Sequence, residues 1–180
     1  ISANTALRGG GIFAQTTDTC FAITNHSSLS DNYAQGFGGG IVLDDGIFST
    51  INYSTISGNE SGDHAGGIYC VPCNLEMNYS EITGNTAVEY GAGLYLNFTD
   101  QVENTVLNNV TIVGNDAGNY AGGIFMSNQH DVDVLLHNSI VWGNLPNQIY
   151  FNSTGNLNLI EVEYSDVQGG QAGIIDNSNG

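Results

Sequence analysis

The sequence predicts an all-β fold, a β-solenoid of about six coils of 26–30 residues, and three observations predict it. Asparagines recur at a nearly constant interval: Asn4, Asn32, Asn59, Asn85, Asn115 and Asn144 are separated by 28, 27, 26, 30 and 29 residues. Asn32, Asn59, Asn85 and Asn115 are each followed eight residues later by a glycine, at Gly40, Gly67, Gly93 and Gly123; from Asn4 to Gly11 the gap is seven. The runs after these glycines, such as Ile68-Tyr69-Cys70 and Ile124-Phe125-Met126, are too short and too rich in β-formers for helices. Helical repeats of this length carry 3.6-residue periodicity and Ala, Leu, Glu and Lys enrichment, and neither is present.

Each element of the coil then has a reason. Leu29, Ile56, Ile82, Ile112 and Val141 precede the anchor asparagines and are read as the inward residues of a short strand. The anchors stack over one another, so each side-chain amide can donate to the carbonyl oxygen of the next, forming a ladder along the axis. Asparagine also tolerates the left-handed conformation of a sharp corner. The glycines bend the chain where a Cβ would clash. Ile12, Ile41, Ile68, Leu94 and Ile124 then face the core, and Phe13, Val42, Tyr69, Tyr95, Phe125 and Tyr150 face outward. Coils stacked at strand spacing make a rod roughly 29 Å long.

The 180 residues form one domain, 1–180, with one core. Arg8 is the only basic residue against 18 carboxylates, and the formal charge is −17. Such a surface repels nucleic acid, anionic membranes and anionic polysaccharides. The apolar runs, such as Gly40-Ile41-Val42-Leu43, are far below membrane-spanning length. The chain starts in mid-motif at Asn4-Thr5-Ala6-Leu7, which reads as a segment of a longer protein. Cys70-Val71-Pro72-Cys73 has no second CxxC and no nearby histidine, so a short-range disulfide in an oxidising compartment is expected instead of zinc. Cys20 is left as a buried thiol.

The stretches "NYSTISGN", "SEITGNTAVEYGAGLYL" and "NNVTIVGNDAGNYAGGIFM" resemble right-handed parallel β-helix repeats of secreted bacterial surface proteins. The GG-[AG]-[IL] runs are similar to those of adhesin-like autotransporter passenger domains. The resemblance covers nearly the whole chain and implies a right-handed parallel β-helix at the cell surface or outside the cell. It implies little about activity, because the same fold hosts lyases, hydrolases, adhesins and inert shafts.

The search for chemistry finds scattered groups. A pectate-lyase-like site needs a base, and Arg8 is the only one of its kind. The paired aspartates, Gly-His-Gly and Arg-x-Lys of a polygalacturonase-like hydrolase are not found together. Asp44-Asp45-Gly46 reads as a turn between two strands. His26, His64, His130 and His137 fall in different coils; the His64–Asp63 and His130–Asp131 neighbours read as solvated loops. Asp131 and Asp133 share one face of a strand edge, with no second ligand set for calcium. No catalytic residue, metal or cofactor is expected.

Two surface features remain. The outward stripe Phe13, Tyr69, Tyr95, Phe125 and Tyr150 is either covered by flanking loops or a flat apolar face for sugar rings or another subunit. Ice binding would want a regular Thr array, which Thr55, Glu81 and Thr111 break. Sequons are dense: Asn25, Asn52, Asn78, Asn97, Asn109 and Asn152 are glycosylation candidates, and Asn25, Asn52 and Asn78 share one coil position. Asn59 also fits the pattern but is expected inside the ladder. The expectation is an extracellular, non-enzymatic shaft, adhesin segment or filament subunit that associates with itself end to end or laterally. It carries no nucleic-acid or membrane-insertion role in this segment. The rival expectation is a carbohydrate-active enzyme or sugar-binding module with a lateral groove.

Overall fold

A computed structural model describes residues 1–16, 20–98, 104–128, 132–153 and 158–177. His130 and Asp131 lie outside the described residues. The fold is a parallel β-solenoid of about five turns, slightly fewer than the six anchors suggest, because six stacked strands enclose five full turns. Each turn contributes to three sheets. Two-residue strands at Thr5–Ala6, Tyr33–Ala34, Glu60–Ser61, Thr86–Ala87 and Asp116–Ala117 form a five-stranded sheet directly after the anchor asparagines. Three-residue strands such as Thr55–Ser57, Glu81–Thr83 and Thr111–Val113 form a six-stranded sheet just before them. The third sheet has eleven strands and is bent into two legs. In Ile41–Asn52 and Ile68–Asn78 both legs belong to one strand; elsewhere they are separate, as in Leu94–Phe98 and Asn104–Asn108.

The registers are those of a solenoid, with like residues over like. Ile41, Ile68, Leu94, Ile124 and Ile149 stack in one column. Leu29, Ile56, Ile82, Ile112 and Val141 stack in another. All ten are at most 1% exposed. A buried side chain of this size contributes about 1.5–3 kcal/mol, so repeating the column is the main source of stability.

Three corners close each coil, and each holds one residue in the left-handed region. Before the anchors these are Ala3, Asp31, Gly58, Gly84, Gly114 and Gly143. Before the glycine pairs they are Gly9, Gly38, Ala65, Gly91 and Ala121; after the second leg they are His26, Tyr53, Tyr79, Asn109, Asn138 and Tyr164. The anchor asparagines themselves are not left-handed, contrary to the sequence expectation. The preceding residue takes the strained turn, which frees each asparagine to aim along the axis. Asp44-Asp45-Gly46 is likewise not a break between strands. It is a bulge inside Ile41–Asn52, with Asp45 and Gly46 at φ 60° and 80° and the register slipping between Asp44 and Ile47.

Candidate functional site

The inner asparagine column is the most ordered polar feature. Asn59 donates its backbone N–H (2.9 Å) and its Nδ2 (3.0 Å) to Asn85 Oδ1, and Asn85 does the same to Asn115 Oδ1 at 2.9 Å each. Asn4, Asn32 and Asn115 repeat the pattern toward Asn32, Asn59 and Asn144. The second Nδ2 hydrogen goes to a core-strand carbonyl, Leu29 for Asn59 and Ile56 for Asn85, at 3.0 Å each. The glycine eight residues on makes room for this. A Cβ at Gly40 would lie 2.7 Å from Gly67 O and 3.2 Å from Asn59 Nδ2. The Asn-to-Gly spacing therefore encodes one packed corner.

The ladder is closed by a residue that the repeat does not reveal. Twenty-six residues after Asn144 stands Gly170, which has no amide to offer. Gln148 fills the rung: its Oε1 accepts from Asn144 N–H at 3.2 Å and Nδ2 at 2.9 Å. Gln148 Nε2 donates to Asn144 O (3.0 Å) and Gln168 Oε1 (3.3 Å). The only sequence signal is a glutamine four residues past the last anchor.

A second, outer asparagine ladder runs through the shared sequon position. Asn52 Nδ2 donates to Asn25 Oδ1 (2.8 Å), Asn78 to Asn52 (2.9 Å) and Asn108 to Asn78 (3.3 Å). The sequon serines are equally committed. Ser27, Ser54 and Ser80 donate their hydroxyls back to the carbonyls of Asn25, Asn52 and Asn78 at 2.8–2.9 Å. Ser54 Oγ and Ser80 Oγ also accept the N–H of Ser27 and Ser54 from the neighbouring coil. Ser139 and Ser165 make the same turn behind His137 and Glu163, where no asparagine stands. The serine thus belongs to the corner at every one of these positions except Val110, and N-x-S arises where the serine coincides with an outer-ladder asparagine. Of the other candidates, Asn152 is exposed. Asn97 and Asn109 are half-buried, and Asn109 Nδ2 donates to Asn108 Oδ1.

The outward stripe is covered. Tyr69, Tyr95, Phe125 and Tyr150 are 2–9% exposed and stack at 5.1, 5.2 and 5.7 Å; Phe13, at the first coil, is 45% exposed. Phe37, His64, Tyr90 and Tyr120 form a second column over them. Each cover ring lies on the stripe ring of the next coil, at 4.8 Å (Phe37–Tyr69), 4.8 Å (His64–Tyr95), 4.9 Å (Tyr90–Phe125) and 4.5 Å (Tyr120–Tyr150). These covers stand three residues before the final glycine of each corner, a signal present in the sequence and missed. Arg8 holds the same position before Gly11. Its guanidinium lies 5.3 Å from the Phe13 ring and 5.5 Å from Phe37, and it pairs with Asp44 Oδ2 at 2.8 Å. Burial raises the phenols of Tyr69 and Tyr95, Tyr69 to about 12 with nearby Asp44 adding to it, and Tyr95 further still.

No family model, curated protein or solved structure matches the chain.

The remaining candidates stay apart. His26 stacks on Tyr53 at 4.9 Å, and His137 lies 3.1 Å from Glu163 Oε2. His64 Nδ1 is 3.0 Å from Asp63 Oδ1, but off the line of a hydrogen bond. Burial lowers the His64 pKa, against the opposing pull of Asp63 and Glu89. Cys70 and Cys73 are disulfide-bonded and fully buried at the corner of Ile68–Asn78. Among the described residues, no group of three or more His, Cys, Asp or Glu is placed to hold a metal. The second leg of the long sheet carries an open groove of about 340 Å³, lined by Phe48, Thr50, Asn74, Glu76, Asn104 and Val106. Little in the sequence singles out these residues, because the column changes from Phe48 to Asn74 and Asn104 and repeats one chemistry only once.

Proposed function

We infer that the chain is a non-enzymatic structural segment outside the cell, a shaft of the adhesin or autotransporter-passenger kind or a subunit that associates with copies of itself. One observation carries this reading. The polar and aromatic side chains that could serve chemistry are bonded lengthwise to their equivalents in adjacent coils: the inner asparagines, the outer asparagines with their serines, and the two aromatic columns. Residues bound this way gain rigidity and lose the freedom to meet a substrate. The buried disulfide fits an oxidising compartment. The test pairs electron microscopy of the native material with reducing-sugar release from neutral and acidic polysaccharides. Rods or fibres without turnover are expected; turnover by the isolated monomer would overturn the reading.

The groove supports a second reading, a sugar-binding or carbohydrate-active flank, because Phe48 is 44% exposed beside the carboxamides of Asn74 and Asn104 and the carboxylate of Glu76. Affinity electrophoresis in neutral glucans decides it: retardation abolished by Phe48→Ala favours the groove, and unretarded migration removes it.

A further inference from the structure

The corner after the second leg carries an exposed ring stack that no ladder requires. His26, Tyr53 and Tyr79 occupy equivalent positions in successive coils, each at a left-handed φ of 47–51°. That backbone fixes the direction of each side chain. Tyr53 N–H also bonds Asn78 O at 3.0 Å, holding the two corners together. The Tyr53 and Tyr79 rings are 5.1 Å apart and 4° from parallel, and the residues are 54% and 53% exposed. Beyond Tyr79 the next position is Asn109, and before Tyr53 it is His26, so the phenol column is a pair.

We propose that Tyr53 and Tyr79 are an oxidative cross-linking site, joined as dityrosine by a one-electron oxidant such as a haem peroxidase with hydrogen peroxide. Each phenol gives up one electron and one proton. The two phenoxyl radicals pair through a carbon ortho to each oxygen, forming one carbon–carbon bond. The hydrogens on those two carbons then move to the oxygens, restoring both aromatic rings. The pair loses two hydrogens in all, and the peroxide takes two electrons and two protons to become two waters. Holding both radicals side by side replaces a diffusional encounter with an intramolecular one. The product staples the second and third coils on their solvent side. It does not depend on the function proposed above.

The other tyrosines supply the contrasts. Tyr69 and Tyr95 are as close, 5.1 Å and 8° from parallel, but are 9% and 7% exposed beneath the cover column. Tyr120 stacks on Tyr150, itself 7% exposed. Tyr164 is the most open, 85% exposed, and faces His137 edge-on. Oxidation governed by access alone would therefore use Tyr164 and join separate chains.

The experiment treats the folded chain with a haem peroxidase and about one equivalent of hydrogen peroxide. Dityrosine fluorescence is read on the monomer band, and the linked peptide is mapped by mass spectrometry after peptic digestion. Tyr53→Phe and Tyr79→Phe, which keep the rings, are each expected to reduce monomer dityrosine about tenfold or more, as the loss of a preset pair requires. Tyr69→Phe and Tyr164→Phe are expected to leave it unchanged. Dityrosine confined to chain dimers, links mapping to Tyr164, undiminished signal in Tyr53→Phe, or no dityrosine at all would each overturn the proposal.

Discussion

Replacing Asn85 with alanine tests the ladder where it is most enclosed. Asn85 is 0% exposed, and its carboxamide takes part in four hydrogen bonds. Its Oδ1 accepts from the Asn59 N–H and Nδ2, and its Nδ2 donates to Asn115 Oδ1 and Ile56 O. In Asn85→Ala, two buried Asn59 donors lose their acceptor and the Ile56 carbonyl loses a donor. An unsatisfied buried group costs about 1–3 kcal/mol, so the expected loss is about 3–5 kcal/mol. For a chain of this length that lowers Tm by about 10 °C. The control is Asn4→Ala, at the exposed first rung, which removes one side-chain bond to Asn32 and costs about 1 kcal/mol or less. The assay is thermal and urea unfolding by circular dichroism, with hydrogen exchange showing whether the loosening centres on the coils of Asn59 and Asn85. If Asn85→Ala and Asn4→Ala fall within about 1 kcal/mol of each other, burial and bonding along the column do not set the stability.

Three further outcomes follow from the same geometry. Ser80→Ala removes the acceptor of the buried Ser54 N–H and a donor to Asn78 O, and is expected to cost about 2 kcal/mol in urea unfolding. Asn78→Ala, which loses only exposed or half-exposed ladder bonds, should cost less; the reverse order would return the sequon to a role outside the corner. Stability should fall on both sides of neutrality. His64 has a lowered folded pKa, so its contribution is complete above about 6.5 and is lost as the pH falls below that value. His64→Phe, which restores the ring found at position 37, should shrink the loss between about pH 7 and pH 5. Tyr69 has a raised folded pKa, so its contribution is complete below 10.0 and is lost as the pH rises toward about 12; Tyr69→Phe should shrink that alkaline loss. Reductant should lower the unfolding free energy of the wild-type chain, measured in urea, by about 2 kcal/mol, the value for so short a disulfide loop, and leave Cys70→Ala/Cys73→Ala unchanged.

What could be read in the sequence was whatever repeats with the period of the coil. The anchor asparagines, the glycines eight residues on and the inward Ile column each recur with one chemistry, because one residue type solves the same packing problem at every level. The cover column escaped for the opposite reason. Arg8, Phe37, His64, Tyr90 and Tyr120 solve one problem, a flat group laid over the next coil's ring, with a guanidinium, a benzene, an imidazole and two phenols. A search by residue identity sees five unrelated side chains. Gln148 escaped because a cap interrupts the period that reveals the ladder.

The sequons show a sharper limit. The string Asn-Tyr-Ser at 52–54 is the same whether it marks a glycan acceptor or builds a corner. The difference lies in where the hydroxyl points, and no spacing rule carries that. Ser139 and Ser165 break the tie, since both keep the bond to the carbonyl two residues back after the asparagine has become histidine or glutamate. What the corner favours is a serine behind a left-handed residue, with Val110 behind Asn109 the one departure. An asparagine in front adds the outer ladder where four coils in succession supply one. A glycan on Asn52 or Asn78 would attach to the same Nδ2 that bonds the neighbouring coil. The glycan replaces one of the two Nδ2 hydrogens: at Asn78 both are engaged, by Asn52 Oδ1 and Glu76 Oε1, so decoration there displaces one bond, whereas at Asn52 one hydrogen is left for the ladder, and mass spectrometry of material from a glycosylating host is expected to show higher occupancy at Asn52 than at Asn78.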